Sequence, residues 1–297
     1  MMHKILRAGR LGEDRVRQIL HLNESESRLA SDAQEFWTRP PNEKNNFWWH
    51  WRGSGVYTDQ QWLAIGRKHL EMYRRWERML GINEPLRKVV DWGTGGGANA
   101  VAFAPECETF YGVEPSADAL KETKKQLALA NTTTKSMAKF VPVQLDITTP
   151  EEVMNVIPRD IDLFYCLYVY EVFPSKEYGQ RILELGRDML KPGGCAYIQI
   201  KYQTDSWTTR SRRWGYKRGV ASMVSYRVEE MWEMGEAIGM TPEAMHLVPK
   251  PAEVPDFRYA YYLFRKPLLA QTHNPAPSVV LQGVSHIEGD MTQSRGR

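Results

Sequence analysis

Apolar positions recur at helical spacing through Trp62, Ile65, Met72, Tyr73, Trp76, Met79 and Leu80, the one-sided stripe of a helix that packs on a sheet. Thr58 and Gln61 frame its start as a capping box, and Gly81 supplies its stop. Downstream, short apolar runs alternate with helical patterns. The runs over 88–92, 109–113, 140–145, 161–168 and 195–201 read as strands, and 98–104, 116–130, 149–157 and 175–190 as the intervening helices. Thr149 and Pro150 offer a second cap, with proline at the first helical position. A further helix over 228–238 ends at Gly239, and strands over 245–248 and 258–264 complete the pattern. Such alternation predicts an α/β fold, a doubly wound, mostly parallel, seven-stranded sheet with helices on both faces. Ligands of such sheets bind at the carboxyl ends of the strands, where strand order reverses.

Outside this regular region, 58–266, the texture changes. Residues 1–57 are polar and irregular up to Arg39-Pro40-Pro41, then strongly aromatic through Phe47-Trp48-Trp49-His50-Trp51. We read them as an N-terminal helical and aromatic cap, and the Pro-, Gly- and Ser-containing segment 267–297 as a flexible tail. Five of the ten tryptophans fall between Trp37 and Trp62, a concentration that points beyond core packing. The 39 basic and 36 acidic residues leave a net charge of +3, too small to imply a nucleic-acid or membrane partner. No apolar run approaches the ~18 residues of a bilayer span, and the three cysteines are far apart in apolar contexts. Free thiols and a cytoplasmic location are expected.

The densest chemical signal is Asp91-Trp92-Gly93-Thr94-Gly95-Gly96-Gly97, placed where a strand turns into a helix. Glycines there let backbone approach a ligand closely. Taken alone, Gly93-x-Gly95-x-x-Ala98 also fits a dinucleotide fingerprint. Asp91, two residues before the first glycine, is placed to hold an ammonium group. Glu114 ends the second strand, where an acid accepts from ribose hydroxyls. Asp146 follows the third strand beside Ile147, positioned to accept from an adenine amino group. Together with the Lys191-Pro192-Gly193-Gly194 turn, these signals over about residues 85–266 resemble the class I S-adenosylmethionine-dependent methyltransferases. The resemblance implies that Asp91, Gly93, Thr94, Gly95, Gly97, Glu114, Asp146 and Ile147 bind S-adenosylmethionine.

It also narrows the acceptor. Base amine methylation in that family goes with Asp/Asn-Pro-Pro-aromatic after the fourth strand, where this chain reads Leu167-Tyr168-Val169-Tyr170-Glu171-Val172. No cysteine follows a proline, as cytosine carbon methylation needs, and no acids cluster for a metal. Many small-molecule O-methyltransferases carry Glu-His here. Glu171 matches, and Val172 departs from the histidine. A base is worth typically about 100–10,000-fold to a hydroxyl nucleophile. Glu171 and His50 are the catalytic candidates, while His69, on the apolar stripe, reads first as a core residue. Trp49 and Trp51 offer stacking faces. The connection over 202–227, read as a substrate lid, carries Arg210, Arg212, Arg213, Lys217, Arg218 and Arg227 against Asp205. Lys201, Tyr202 and Arg213 are its substrate-binding candidates. The expected activity is methylation of a hydroxyl on a small metabolite or glycosylated precursor, anionic acceptors included, with no nucleic acid, membrane span or metal. An NAD(P)-dependent oxidoreductase and a non-catalytic cofactor-binding partner subunit are the alternatives.

Overall fold

The computed structural model describes residues 12–20, 22–39, 58–131, 138–218, 220, 223–248 and 258–268. A short helix α1 (12–19) and α2 (Glu26–Thr38) precede α3 (Asp59–Leu80). The alternating region then runs β1 (Lys88–Trp92), α4 (Ala98–Phe103), β2 (Thr109–Glu114), α5 (Ala117–Asn131), β3 (Lys139–Gln144) and β4 (Ile161–Cys166). It continues through α6 (Lys176–Met189), β5 (Leu190–Lys201), α7 (Val228–Ala237), β6 (Thr241–Leu247) and β7 (Tyr259–Arg265). The seven strands form one sheet in the order β3-β2-β1-β4-β5-β7-β6. β1 to β5 pair in parallel, and β7 runs antiparallel to both β5 and β6. The doubly wound sheet expected from periodicity is present.

One apolar core lies on each face. Leu29 and Ala33 of α2, with Ile182, Leu183 and Met231, pack one side; Tyr73, Trp76 and Phe103 pack the other against Tyr165, Tyr197 and Leu263. α3 starts as expected, with Gln61 donating its amide to Thr58 Oγ1 at 3.3 Å and Thr58 donating its amide to Gln61 Oε1 at 2.9 Å. Its buried face differs from the expected stripe at Met79, which is exposed, and at Gly66, which is buried, while His69 is buried as expected.

Four other elements depart from expectation. β4 stops at Cys166, because Tyr168 adopts a left-handed backbone (φ 60°) that no strand accommodates. β5 begins at Leu190, since the Gly193 amide bonds to Lys266 and carries the turn into the sheet. The segment over 149–157 is a 3-10 helix over Pro150–Asn155, and Thr149 makes no side-chain cap. β6 starts at Thr241, with Pro242 tolerated at a bulge on this edge strand. α2 was hidden by polar composition; Ser25 caps it by accepting from the Arg28 amide.

Candidate active site

Strand order reverses between β1 and β4, and a cavity opens there at the carboxyl ends of the strands. It has about 1040 Å³ of empty space, its open mouth included. The loop after β1 forms its floor. Gly93 and Thr94 both donate amides to the Val113 carbonyl, at 2.8 and 3.0 Å, which folds the loop back over β2. Gly93, Gly95 and Gly97 have φ values of 81°, 52° and 93°. A Cβ on Gly93 would stand 2.4 Å from Val169 Cγ2 and one on Gly97 3.0 Å from Thr123 Cα, so side chains would fill the cradle.

Asp91 is 1% exposed and has no hydrogen bond of acceptable geometry to either oxygen. Burial pushes its carboxyl up to about 7, opposed by the nearby Thr94 and Tyr165 hydroxyls and reinforced by Glu114. Those two hydroxyls are themselves unpartnered. An uncompensated buried carboxylate is unfavourable; Asp91 is next to the lining residue Trp92 but is not itself among the residues that line the cavity. Glu114 lines the cavity and accepts from the Gly95 amide at 3.1 Å and the Ser116 amide at 3.2 Å. Burial raises it to about 7 despite those bonds.

Asp146 does not line the cavity. Its Oδ1 accepts from the Thr148 amide at 2.8 Å and the Thr148 hydroxyl at 2.6 Å, closing the turn that presents Ile147. Ile147 does line the cavity. The wall opposite comes from α2, which sequence reasoning did not place. Trp37 lines the cavity and donates Nε1–H to the Tyr216 hydroxyl at 2.8 Å, and Tyr216 in turn donates to the Val172 carbonyl. The tryptophan concentration was the available signal for Trp37.

The acceptor-side candidates lie elsewhere. Trp49, His50 and Trp51 fall outside the described residues. Glu171 is buried in the 3-10 turn Tyr170–Val172, 3.5 Å from the Tyr259 hydroxyl, and does not line the cavity. Lys201 is buried at the end of β5, and Tyr202 exchanges contacts with Arg258; neither lines the cavity. Arg213 is half-buried and pairs with Glu177 at 2.8 Å. Most other basic residues of this connection are paired: Arg212 with Asp14, Lys217 with Asp32, Arg218 with Glu13 and Arg227 with Glu229. Among the described residues that line the cavity, Glu114 is the one charged side chain.

Among the described residues, no group of three His, Cys, Asp or Glu side chains is placed to hold a metal ion, and no helix is long and apolar enough to cross a membrane.

A family model described as a methyltransferase domain matches residues 66–241. No curated protein matches the chain. Similar solved structures include magnesium protoporphyrin IX methyltransferase from Synechocystis PCC 6803 with bound SAH, at 14% identity, 72% of this chain, 92% of that chain and a TM-score of 0.51. A SAM-dependent methyltransferase from Methanosarcina mazei is 11% identical, covering 64% of this chain and 97% of that chain with a TM-score of 0.49. The fold, the glycine cradle and the family match, which spans more than half of the sequence, together define the class. The chain belongs to the class I S-adenosylmethionine-dependent methyltransferase family.

Proposed function

We propose that this methyltransferase methylates a hydroxyl of a small, uncharged acceptor, a metabolite or glycosylated precursor. The observation that carries this reading is the chemistry of the cavity wall: aromatic and aliphatic, with Glu114 as the one charged lining residue among those described. Trp92, Thr94 and Tyr178 line it as well, and each has a buried polar side-chain atom without a partner. Neutral hydroxyl-bearing molecules suit such a wall; among the described residues that line it none is cationic, and Arg212, Arg213 and Lys217 are paired elsewhere.

Asp91 would hold the amino group of S-adenosylmethionine, the loop over 93–97 its amino-acid moiety, Glu114 its ribose, and Ile147, on the turn fixed by Asp146, its base. Bound there, S-adenosylmethionine supplies an activated methyl group on a sulfonium. The protein's work is then to align the acceptor oxygen and exclude water, and orientation of this kind is worth about 7–11 kcal/mol in favourable systems. Apolar walls help further: they solvate a compact positive charge poorly, and the charge spreads as the methyl group moves.

Calorimetry with S-adenosylhomocysteine and with NAD(P) tests the cofactor half. The acceptor half is tested by assaying S-adenosylhomocysteine release with phenols, sugars, aromatic carboxylates and amines. Turnover confined to carboxylates or amines would sink the hydroxyl assignment.

A further inference from the structure

Trp92 and Tyr178 both line the cavity, and each is 1% exposed. Neither the indole Nε1 of Trp92 nor the hydroxyl of Tyr178 has a hydrogen-bond partner. Buried polar groups are nearly always paired, so two orphans in one cavity wall need a physical reason. Thr94, the third lining residue with an unpartnered polar atom, has the Asp91 carboxyl beside it. Tyr165 and Tyr197 also carry unpartnered hydroxyls, but neither lines the cavity.

Side chains alternate across a strand. Asp91 and Glu114 therefore share the sheet face of Val89 and Phe110, whereas Trp92 shares that of Val90 and Val113. Tyr178, in the first turn of α6, belongs to the same apolar layer as Trp92. Its ring meets that of Phe173 edge-on at 5.1 Å. Phe173, Pro174 and Tyr216 continue this part of the wall. Tyr216 is held in place, because its hydroxyl accepts from Trp37 and donates to the Val172 carbonyl. The residues given above to the cofactor end or follow β1, β2 and β3; Phe173, Pro174, Tyr178 and Tyr216 follow β4 and β5.

An indole N–H only donates. Burial holds the Tyr178 phenol well above its ordinary pKa, so it keeps its proton and is free to donate as well. Two donors set among aromatic rings suit a flat ligand that brings an accepting oxygen. An ammonium has no lone pair to offer them. A carboxylate would be buried without a cation, which costs far more than burying a neutral oxygen.

We propose that Trp92 and Tyr178 are specificity-determining residues for the methyl acceptor, and that this acceptor is an aromatic hydroxyl compound with a ring carbonyl whose oxygen satisfies both donors. This rests on the hydroxyl reading above and narrows it from metabolites at large to hydroxylated aromatic ketones. Trp92 and Tyr178 do not touch the reacting atoms. They select the ring that enters and fix how it is turned.

The test uses the full chain with S-adenosylhomocysteine bound and two matched pairs, chromone with chromane and xanthone with xanthene, which differ in the carbonyl. In calorimetry the carbonyl compound of at least one pair should bind about tenfold or more tightly than its partner. The indole proton resonance that W92F removes should move downfield as that compound is added. Y178F deletes a single oxygen and should cut the preference to about threefold or less. Equal binding within both pairs overturns the proposal, and so does a preference that survives in Y178F. A loss of S-adenosylhomocysteine affinity in Y178F as large as the loss of preference also overturns it, because Tyr178 would then read the cofactor. If W92F does not fold, the Y178F comparison decides alone. If no hydroxyl compound turns over, the hydroxyl reading fails, while the binding comparison still decides whether this carbonyl site exists.

Discussion

The amide of Ile147 donates to the side-chain oxygen of Gln34, 2.8 Å away, across a gap of more than a hundred residues in sequence. This bond ties α2 to the turn after β3 at the edge of the cavity. Gln34→Ala leaves a backbone donor at a buried residue without its partner, a change that costs about 1–3 kcal/mol. Urea unfolding should show a loss of that order. An unchanged midpoint would mean that α2 contributes nothing to the wall's stability.

Asp91→Asn should have opposite effects on stability and binding. Burial holds the Asp91 carboxyl near 7, above its ordinary value of 3.8. Such a group favours the folded state most below its unfolded pKa, and that advantage is lost as pH rises towards the folded value. At pH 8 the ionised form is a burden on the ligand-free protein, on the order of 2–4 kcal/mol from the size of the shift. Removing the charge should therefore raise the thermal midpoint of the ligand-free enzyme at pH 8 while weakening S-adenosylhomocysteine binding at least about tenfold. A variant that loses both stability and affinity would contradict this account of the carboxylate.

Binding should also depend on pH. Asp91 and Glu114 are both raised to about 7, and each must be ionised to accept hydrogen bonds from a ligand's ammonium or hydroxyls. Affinity for S-adenosylhomocysteine should fall as pH drops from about 8 to about 6. Protons should be released on binding near pH 6.5, seen as a binding enthalpy that varies with buffer ionisation heat. The two carboxyls interact, so the profile reports the pair rather than either residue.

Gly66 is where α3 crosses the start of α4. A Cβ at this position would lie 2.0 Å from the Ala98 carbonyl oxygen. Gly66→Ala must push the two helices apart, at a cost of about 1–3 kcal/mol or more, and it should separate His69 from Asn99. Thermal melting measures the first effect, and the histidine nitrogen spectrum the second.

How much of this was readable beforehand follows from sequence distance. β1 spans its predicted residues, and the glycine loop, Asp91 and Glu114 sit together, because each is encoded by a few adjacent residues in a strand-to-helix turn. A helical N-terminal cap was expected and is present, but the bounds of α2 were not readable. Its buried side is Leu29, Ala30 and Ala33, too small a stripe to stand out from polar neighbours. The basic connection over 202–227 looked like an anion site because its partners Glu13, Asp14 and Asp32 lie near the other end of the chain. His69 read as core and is buried, but its polar partners, 30 and 192 residues away, were not readable. The segment with Trp49, His50 and Trp51 lies outside the described residues.

The placement of β7 has a consequence for biosynthesis. It follows the other described strands in the sequence, yet it fits between β5 and β6 rather than at the rim. A nascent chain halted before Tyr259 would therefore expose the unpaired flank of β5, an invitation to edge-to-edge aggregation. It would also lack Tyr261, so a clipped or stalled product would carry the glycine loop with the buried His69 missing one of its two polar partners.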